Sequence, residues 1–357
     1  MKITSTTSFI KKNIKSSLCF LLSVVQRVLW LSGLFEIYLR FTGKNGAIIL
    51  MYHSIINSKN RRFIDPAYAM GIDEFDRQMK FLSKHRHVIS MDDLSKKLAE
   101  GKTPKRGTVV ITFDDGYLDN YELAAPVLKK YGLPATIYLA TAYISRGESQ
   151  WIDQLYSIFQ SRTRHILSLE IMGTHEVFNL RKKRELRKAH SVLVSQLIES
   201  DQKTRTFLLS HTRSELKPSH NDPLSTLNWD DIKEMVHRYS NIEIGAHTNE
   251  YMSLTTMDRN SIIQDIATCK RVIESQLGCS PKHFTYPYGR SNSEVRSIVK
   301  SMNFKSAAIT DPASLIDKNS NLFSLPRLDA PRSMIMFRAL SGGATMPLIS
   351  QRLSCNI

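Results

Sequence analysis

The chain is poor in three things that would each point somewhere. Cysteine is scarce: Cys19, Cys269, Cys279 and Cys355 are scattered through 357 residues without CxxC or CxxxC spacing. Neither a thiolate zinc site nor a disulfide framework is implied, and free thiols suit a reducing compartment. Acidic residues are also short, with 33 Asp and Glu against 49 Lys and Arg, for a net charge of +16. That surplus suggests an anionic partner such as lipid headgroups or an acidic glycan. Its basic clusters lack interleaved aromatics, which sets nucleic acid aside. No internal repeat or low-complexity tract appears, so solenoid architectures are excluded.

Long apolar runs are missing except near the start. Lys11-Lys12 and Lys15 precede the run Leu18 to Val25, which stops at Gln26-Arg27 with no small-x-small cleavage signal after it. Residues 18–38 have the length of a membrane span but include Arg27 and Glu36. Leu21, Val24, Val28, Leu31, Phe35 and Tyr38 fall on one helical stripe flanked by basic residues. The expectation is an amphipathic helix within a basic segment, 1–45, in peripheral contact with an anionic membrane. The location expected is cytoplasmic, at the inner membrane face; a membrane-anchored or exported protein is the alternative.

What is present from Gly46 onward is a regular alternation. Short apolar runs at 47–52, 88–90, 109–113, 135–140, 242–246, 283–286 and 306–310 read as strands. Between them, 66–82, 91–98, 120–131, 261–277 and 293–301 have helical spacing, and Asn228 has N-cap chemistry for a helix with Ile232, Met235 and Val236 inward. Alternating strands and helices imply a parallel sheet with helical crossovers, an α/β class. Residues 151–223 break the rhythm with a hairpin, 166–171 and 176–180, and a basic helix carrying Leu186, Ala189, Leu193 and Leu197. They are expected as a mainly helical insertion between barrel segments 46–150 and 224–345.

Four polar clusters stand at ends of the expected strands. They are Tyr52-His53-Ser54, Thr112-Phe113-Asp114-Asp115-Gly116-Tyr117, Gly245-Ala246-His247-Thr248 and Thr285-Tyr286-Pro287-Tyr288-Gly289-Arg290. In a parallel barrel the strand C-termini converge on one mouth, where active sites lie. One histidine at a strand end is usually a satisfied polar residue; two histidines and two aspartates on three strand ends point to a site. One carboxylate can hold a metal ion while its neighbour takes a proton from water.

In this order, together with Leu133-Pro134-Ala135-Thr136, these motifs resemble those of the polysaccharide deacetylases, the NodB-homology enzymes of carbohydrate esterase family four type. The resemblance runs from about Ile48 to Leu328. It implies a distorted (β/α)7-type barrel and metal-dependent removal of acetyl groups from an N-acetylated glycan or glycolipid precursor. By the same resemblance, Asp114 is the general base, and Asp115 and His247 are ligands of a divalent ion, zinc for preference. Tyr288, beside Pro287, lines the acetyl pocket and offers a backbone N–H to the oxyanion; Tyr117 belongs to the same substrate-side set.

Three positions depart from the family pattern. A His is expected four residues after His247, and Tyr251 stands there. Tyr251 bound to the metal, a substitute such as His53 or Glu250, and a weakened or lost metal site are the competing readings. No late Leu-x-His motif supplies a general acid, and His53 is the candidate in its place. Thr285 occupies the position of the arginine that orients the base, leaving Arg327 or Arg290 to substitute. The alternative function is a catalytically weakened homologue that binds glycan.

Overall fold

The computed structural model describes residues 44–57, 63–171, 173–220, 224–311 and 315–343. The helix expected within 1–45 lies outside the described residues. Seven parallel strands form the barrel: β1 (Ala47–Tyr52), β2 (Thr108–Phe113), β3 (Ala135–Leu139), β4 (Ile242–Ala246), β5 (His283–Thr285), β6 (Ser306–Thr310) and β7 (Leu325–Asp329). Each strand pairs with its successor in the chain. The ring closes through β1 and β7, with Ile49 opposite Arg327 and Met51 opposite Asp329. Every residue of β1 and β2 is buried, which explains why both read as continuous apolar runs rather than alternating ones. The expected (β/α)7 barrel is therefore observed. The pairing is thinnest where β4 and β5 meet, through the register pair Ala246–Phe284, beside two of the polar clusters.

The crossover helices bury the side chains their periodicity marks. In the helix Ile72–His85, Phe75, Met79, Phe81 and Leu82 face the barrel, each burial contributing roughly 1.5–3 kcal/mol. Asn228 caps the helix Trp229–Arg238 through a full capping box with Asp231. Ile232 and Met235 are fully buried there, whereas Val236 is only half-buried.

The expectations for 66–82 and 88–90 need correction. Pro66 fixes the backbone of a short 3-10 turn, Pro66–Tyr68, with Asp65 accepting from the Ala67 N–H. Ala69–Gly71 then pairs with Ser54–Ile56 before the helix begins. The strand after that helix is only His87–Val88, because Ser90 caps the next helix.

Residues 151–216 hold three helices, Trp151–Ser161, Lys183–Glu199 and Gln202–Leu216, and the antiparallel hairpin Ile166–Ile171 with Thr174–Asn179. Leu155, Ile158, Leu167, Phe178, Ala189, Leu193, Leu197 and Leu216 build a second apolar core. Tyr251 from the barrel is buried in this second core, and Tyr288 packs against it. The insertion is thus fused to the barrel mouth.

Candidate active site

Asp114 follows the last residue of β2, Phe113, and the next two residues, Asp115 and Gly116, both take left-handed backbone conformations, with φ of 73° and 70°. Asp tolerates that region and glycine favours it. A Cβ on Gly116 would lie 2.9 Å from the Leu139 side chain, so the turn also needs glycine for space. The turn leaves both carboxylates buried at the mouth, 3% and 2% exposed.

Arg327 on β7 fixes Asp114. Its two terminal nitrogens donate to the two Asp114 oxygens at 2.7 Å each, a planar bidentate pair. The guanidinium also donates to Thr112 and to the Thr285 hydroxyl. Thr285, where the family's arginine would stand, therefore accepts from the arginine that replaces it. Arg290 turns outward to pair with Glu199. Burial opposes charge on Asp114, but Arg327 and then His247 outweigh it and hold the carboxyl below the usual carboxylate range.

His247 follows β4, buried, with Nδ1 2.9 Å from the Thr285 carbonyl. A carbonyl can only accept, so Nδ1 carries the proton and Nε2 presents a lone pair. Nε2 lies 3.5 Å from Asp115 Oδ1 and 3.9 Å from Asp114 Oδ2. Burial lowers the imidazole to about 4, so the ring is neutral near pH 7. Asp115 is pushed the other way, chiefly by burial and then by Asp114 and Asp153.

These two residues suit a divalent cation. Asp115 Oδ1 is a buried oxygen without a hydrogen-bond partner, facing an imidazole lone pair whose ring is anchored from behind. The conventional third ligand is missing. Among the described residues no group of three His, Cys, Asp or Glu side chains is placed to hold an ion. Tyr251 fills that position, its ring 4.9 Å from His247 and 5.1 Å from Tyr288. Burial raises its phenol well above 10, so as a neutral group it is a weak ligand. Glu250 pairs with Arg146 instead of turning to His247.

Pro287 opens the short turn Pro287–Gly289, in which Tyr288 has φ 58°. Among the described residues six non-glycine positions have positive φ, and four of them, Asp115, Thr248, Tyr251 and Tyr288, belong to this site. Such strain costs about 1–3 kcal/mol per residue and clusters where geometry matters. His53 sits half-buried above β1, its ring edge-on to Tyr68 at 5.2 Å. It borders a cavity of about 50 Å³ shared with Tyr68, Asp329 and Arg332. Tyr117 is fully buried, and Asp153 and Asp115 raise its phenol further after burial.

Sequence reasoning missed Trp151, Asp153 and Arg205, all supplied by the insertion. Arg205 carried one readable signal: it shares a face with Leu209, Thr212 and Leu216 at helical spacing, so a charge sits on a buried stripe.

Comparison with known proteins points to a family. Residues 101–307, more than half of the chain, match the sequence profile described as polysaccharide deacetylase. A Bacillus subtilis protein, YxkH, assigned by name to the polysaccharide deacetylases, is 37% identical over 123 residues, covering 34% of this chain and 40% of its own. The Staphylococcus aureus poly-beta-1,6-N-acetyl-D-glucosamine N-deacetylase is 26% identical over 182 residues, covering 46% of this chain and 60% of its own. The chain thus spans less than two thirds of these relatives' length. The fold matches the Streptococcus pyogenes deacetylase PplD, solved with acetate, at TM-score 0.56 and 18% identity over 84% of this chain and 99% of that one. It also matches IcaB from Ammonifex degensii at TM-score 0.55 and 18% identity, over 85% and 99%. A closed seven-stranded barrel with an Asp-Asp pair and a histidine at its mouth, and a profile match over most of that barrel, lead to one conclusion: the chain belongs to the polysaccharide deacetylase family.

Proposed function

We propose that this protein hydrolyses the acetamido C–N bond of an N-acetylated glycan or glycolipid precursor. The observation that carries the reading is the Asp114–Arg327 pair beside His247 and Asp115. A general base must be ionised and aimed, and Arg327 does both. Asp115 and His247 would hold a divalent ion, zinc for preference, which polarises a carbonyl and acidifies water. Asp114 takes the proton as water adds to the amide carbon. A backbone N–H at Tyr288 stabilises the resulting oxyanion. His53 delivers a proton to the departing nitrogen, so that the C–N bond breaks to acetate and a free amine. Support for an N-acetylglucosamine polymer as substrate comes from the Staphylococcus aureus relative's name.

The second reading, a weakened homologue that binds glycan without turnover, is favoured by Tyr251 at the third ligand position. Acetate release from N-acetylglucosamine oligomers, measured with and without a chelator and with zinc restored, separates them. Release that stops with chelator and returns with zinc supports hydrolysis; glycan binding without release supports the second reading. The net charge of +16 supports work at an anionic cytoplasmic membrane face. No helix among the described residues is long and apolar enough to cross a membrane. Flotation with anionic vesicles, for the full chain and for one starting at Gly46, tests that contact. Equal binding by both would show that residues 1–45 do not make the membrane contact.

A further inference from the structure

We propose that Arg205, in the inserted helix Gln202–Leu216, is a positioning residue that sets the tyrosine wall of the deacetylase site. The inference rests on the hydrolase reading for its kinetic consequence, although its structural content stands apart from it. Arg205 is 1% exposed. Nε donates to the Leu197 carbonyl at 3.2 Å, and Nη2 donates to the same carbonyl at 3.1 Å. Nη1 donates to the Glu250 and Tyr251 carbonyls at 3.3 and 3.1 Å. Nη2 also donates to the Tyr288 hydroxyl at 3.2 Å. A guanidinium has five N–H bonds, and here each has an acceptor.

The tyrosine hydroxyl is saturated as well. Tyr288 accepts from Arg205 and from Trp151 Nε1 at 3.1 Å, and donates to the Tyr251 carbonyl at 3.2 Å. The guanidinium also lies 5.4 Å from the Trp151 ring centroid. One planar group therefore ties a carbonyl of the insertion to Tyr251, which borders His247, and to Tyr288, which packs on Tyr251.

Two features separate this clamp from ordinary packing. First, the acceptors of Arg205 are carbonyl and hydroxyl oxygens, so it is a buried charge held by neutral partners, a costly way to fill space. A leucine would fill that space without the desolvation, but only a rigid fork reaches three segments together. Second, the residues it grips, Tyr251 and Tyr288, have φ of 54° and 58°, a region that tyrosine does not adopt without outside support. Tyr251 sits where a ligand histidine is expected, and Tyr288 is the residue whose backbone N–H faces the oxyanion in the proposed reaction. The clamp fixes both.

The test uses the full chain with Arg205→Lys, Arg205→Met and, as a control, Leu193→Ala, which removes apolar volume from the same second core but no hydrogen bond to either tyrosine. Acetate release from N-acetylglucosamine oligomers should show kcat reduced on the order of 10- to 100-fold in Arg205→Lys, with KM within about threefold. Leu193→Ala should retain the parent kcat below its melting temperature. Equal kcat loss in Arg205→Lys and Leu193→Ala, or none in Arg205→Lys, overturns the proposal. If the parent releases no acetate, the hydrolase reading has failed, and crystal structures of the parent and Arg205→Lys decide the positioning claim alone. Departure of Tyr251 or Tyr288 from positive φ in the variant supports it; unchanged backbone at both overturns it. If Arg205→Met does not fold, Arg205→Lys carries both arms.

Discussion

The two walls of the candidate site are built by different means. The barrel wall is held by charge: Asp114 and Arg327 form a buried bidentate pair, and His247 is braced against Thr285. The insertion wall is held by neutral oxygen acceptors around one arginine, with Tyr251 edge to face on Tyr288 and Trp151 tilted against Tyr288. The first wall keeps one carboxylate ionised, as the proposed proton transfer requires. The second has aromatic surface and a saturated hydrogen-bond net, suited to shaping a pocket. The missing third ligand lies where the walls meet, since Tyr251 belongs to the barrel sequence but is buried in the insertion's core.

Breaking the barrel wall should have the largest effect. Arg327→Met leaves Asp114 buried without its partner, which should cost about 3–5 kcal/mol of stability. Chemical denaturation checks this. A loss no larger than that of a surface arginine would show that the pair is not buried as described. Loosening the insertion should cost somewhat less: Leu193→Ala removes fully buried apolar volume, for about 2–5 kcal/mol. Retention of the barrel's signal in near-ultraviolet circular dichroism would show that the two cores lose order separately.

A gain is expected where the walls join. Tyr251→His should raise zinc affinity by about tenfold or more, equivalent to ~1.4 kcal/mol, by calorimetric titration. Unchanged affinity would mean that the position is not a ligand position in this chain.

The smallest effect concerns pH. Burial pushes Asp119, next to Ser54 on the barrel side, up to about 7, against the hydrogen bonds it accepts from Ser54 and the Ile55 N–H. Its folded value lies above an unfolded value of about 3.9, so the native chain holds the proton more tightly. The stabilisation is full below about pH 4 and is lost as pH rises through about 7. Asp119→Asn should therefore melt at or above the parent temperature, with the advantage growing between about pH 4 and pH 8. A flat difference across that range would place Asp119 in contact with water.

The barrel and its wall of the site were legible in the sequence because both depend on local patterns. Apolar runs gave the strands, and Asp-Asp-Gly at a strand end placed two carboxylates at the mouth. Arg327 was named as one of two substitutes for the arginine absent at Thr285; choosing it over Arg290 needed the closure of β7 on β1. Strand β7 itself was not read as a strand, since Pro326 lacks an N–H and only tertiary pairing shows that it is tolerated. The insertion wall was illegible for a related reason. Trp151 and Arg205 reach the site only once two helices pack over the mouth, and no local spacing encodes that approach.

The most direct measurement is acetate release from an N-acetylglucosamine oligomer by the zinc-supplemented parent and by Asp114→Asn. Turnover by the parent is expected, with a loss on the order of 10²–10⁴ in the variant and oligomer affinity retained. Equal turnover by both, or binding by both with no acetate released by the parent, would contradict it.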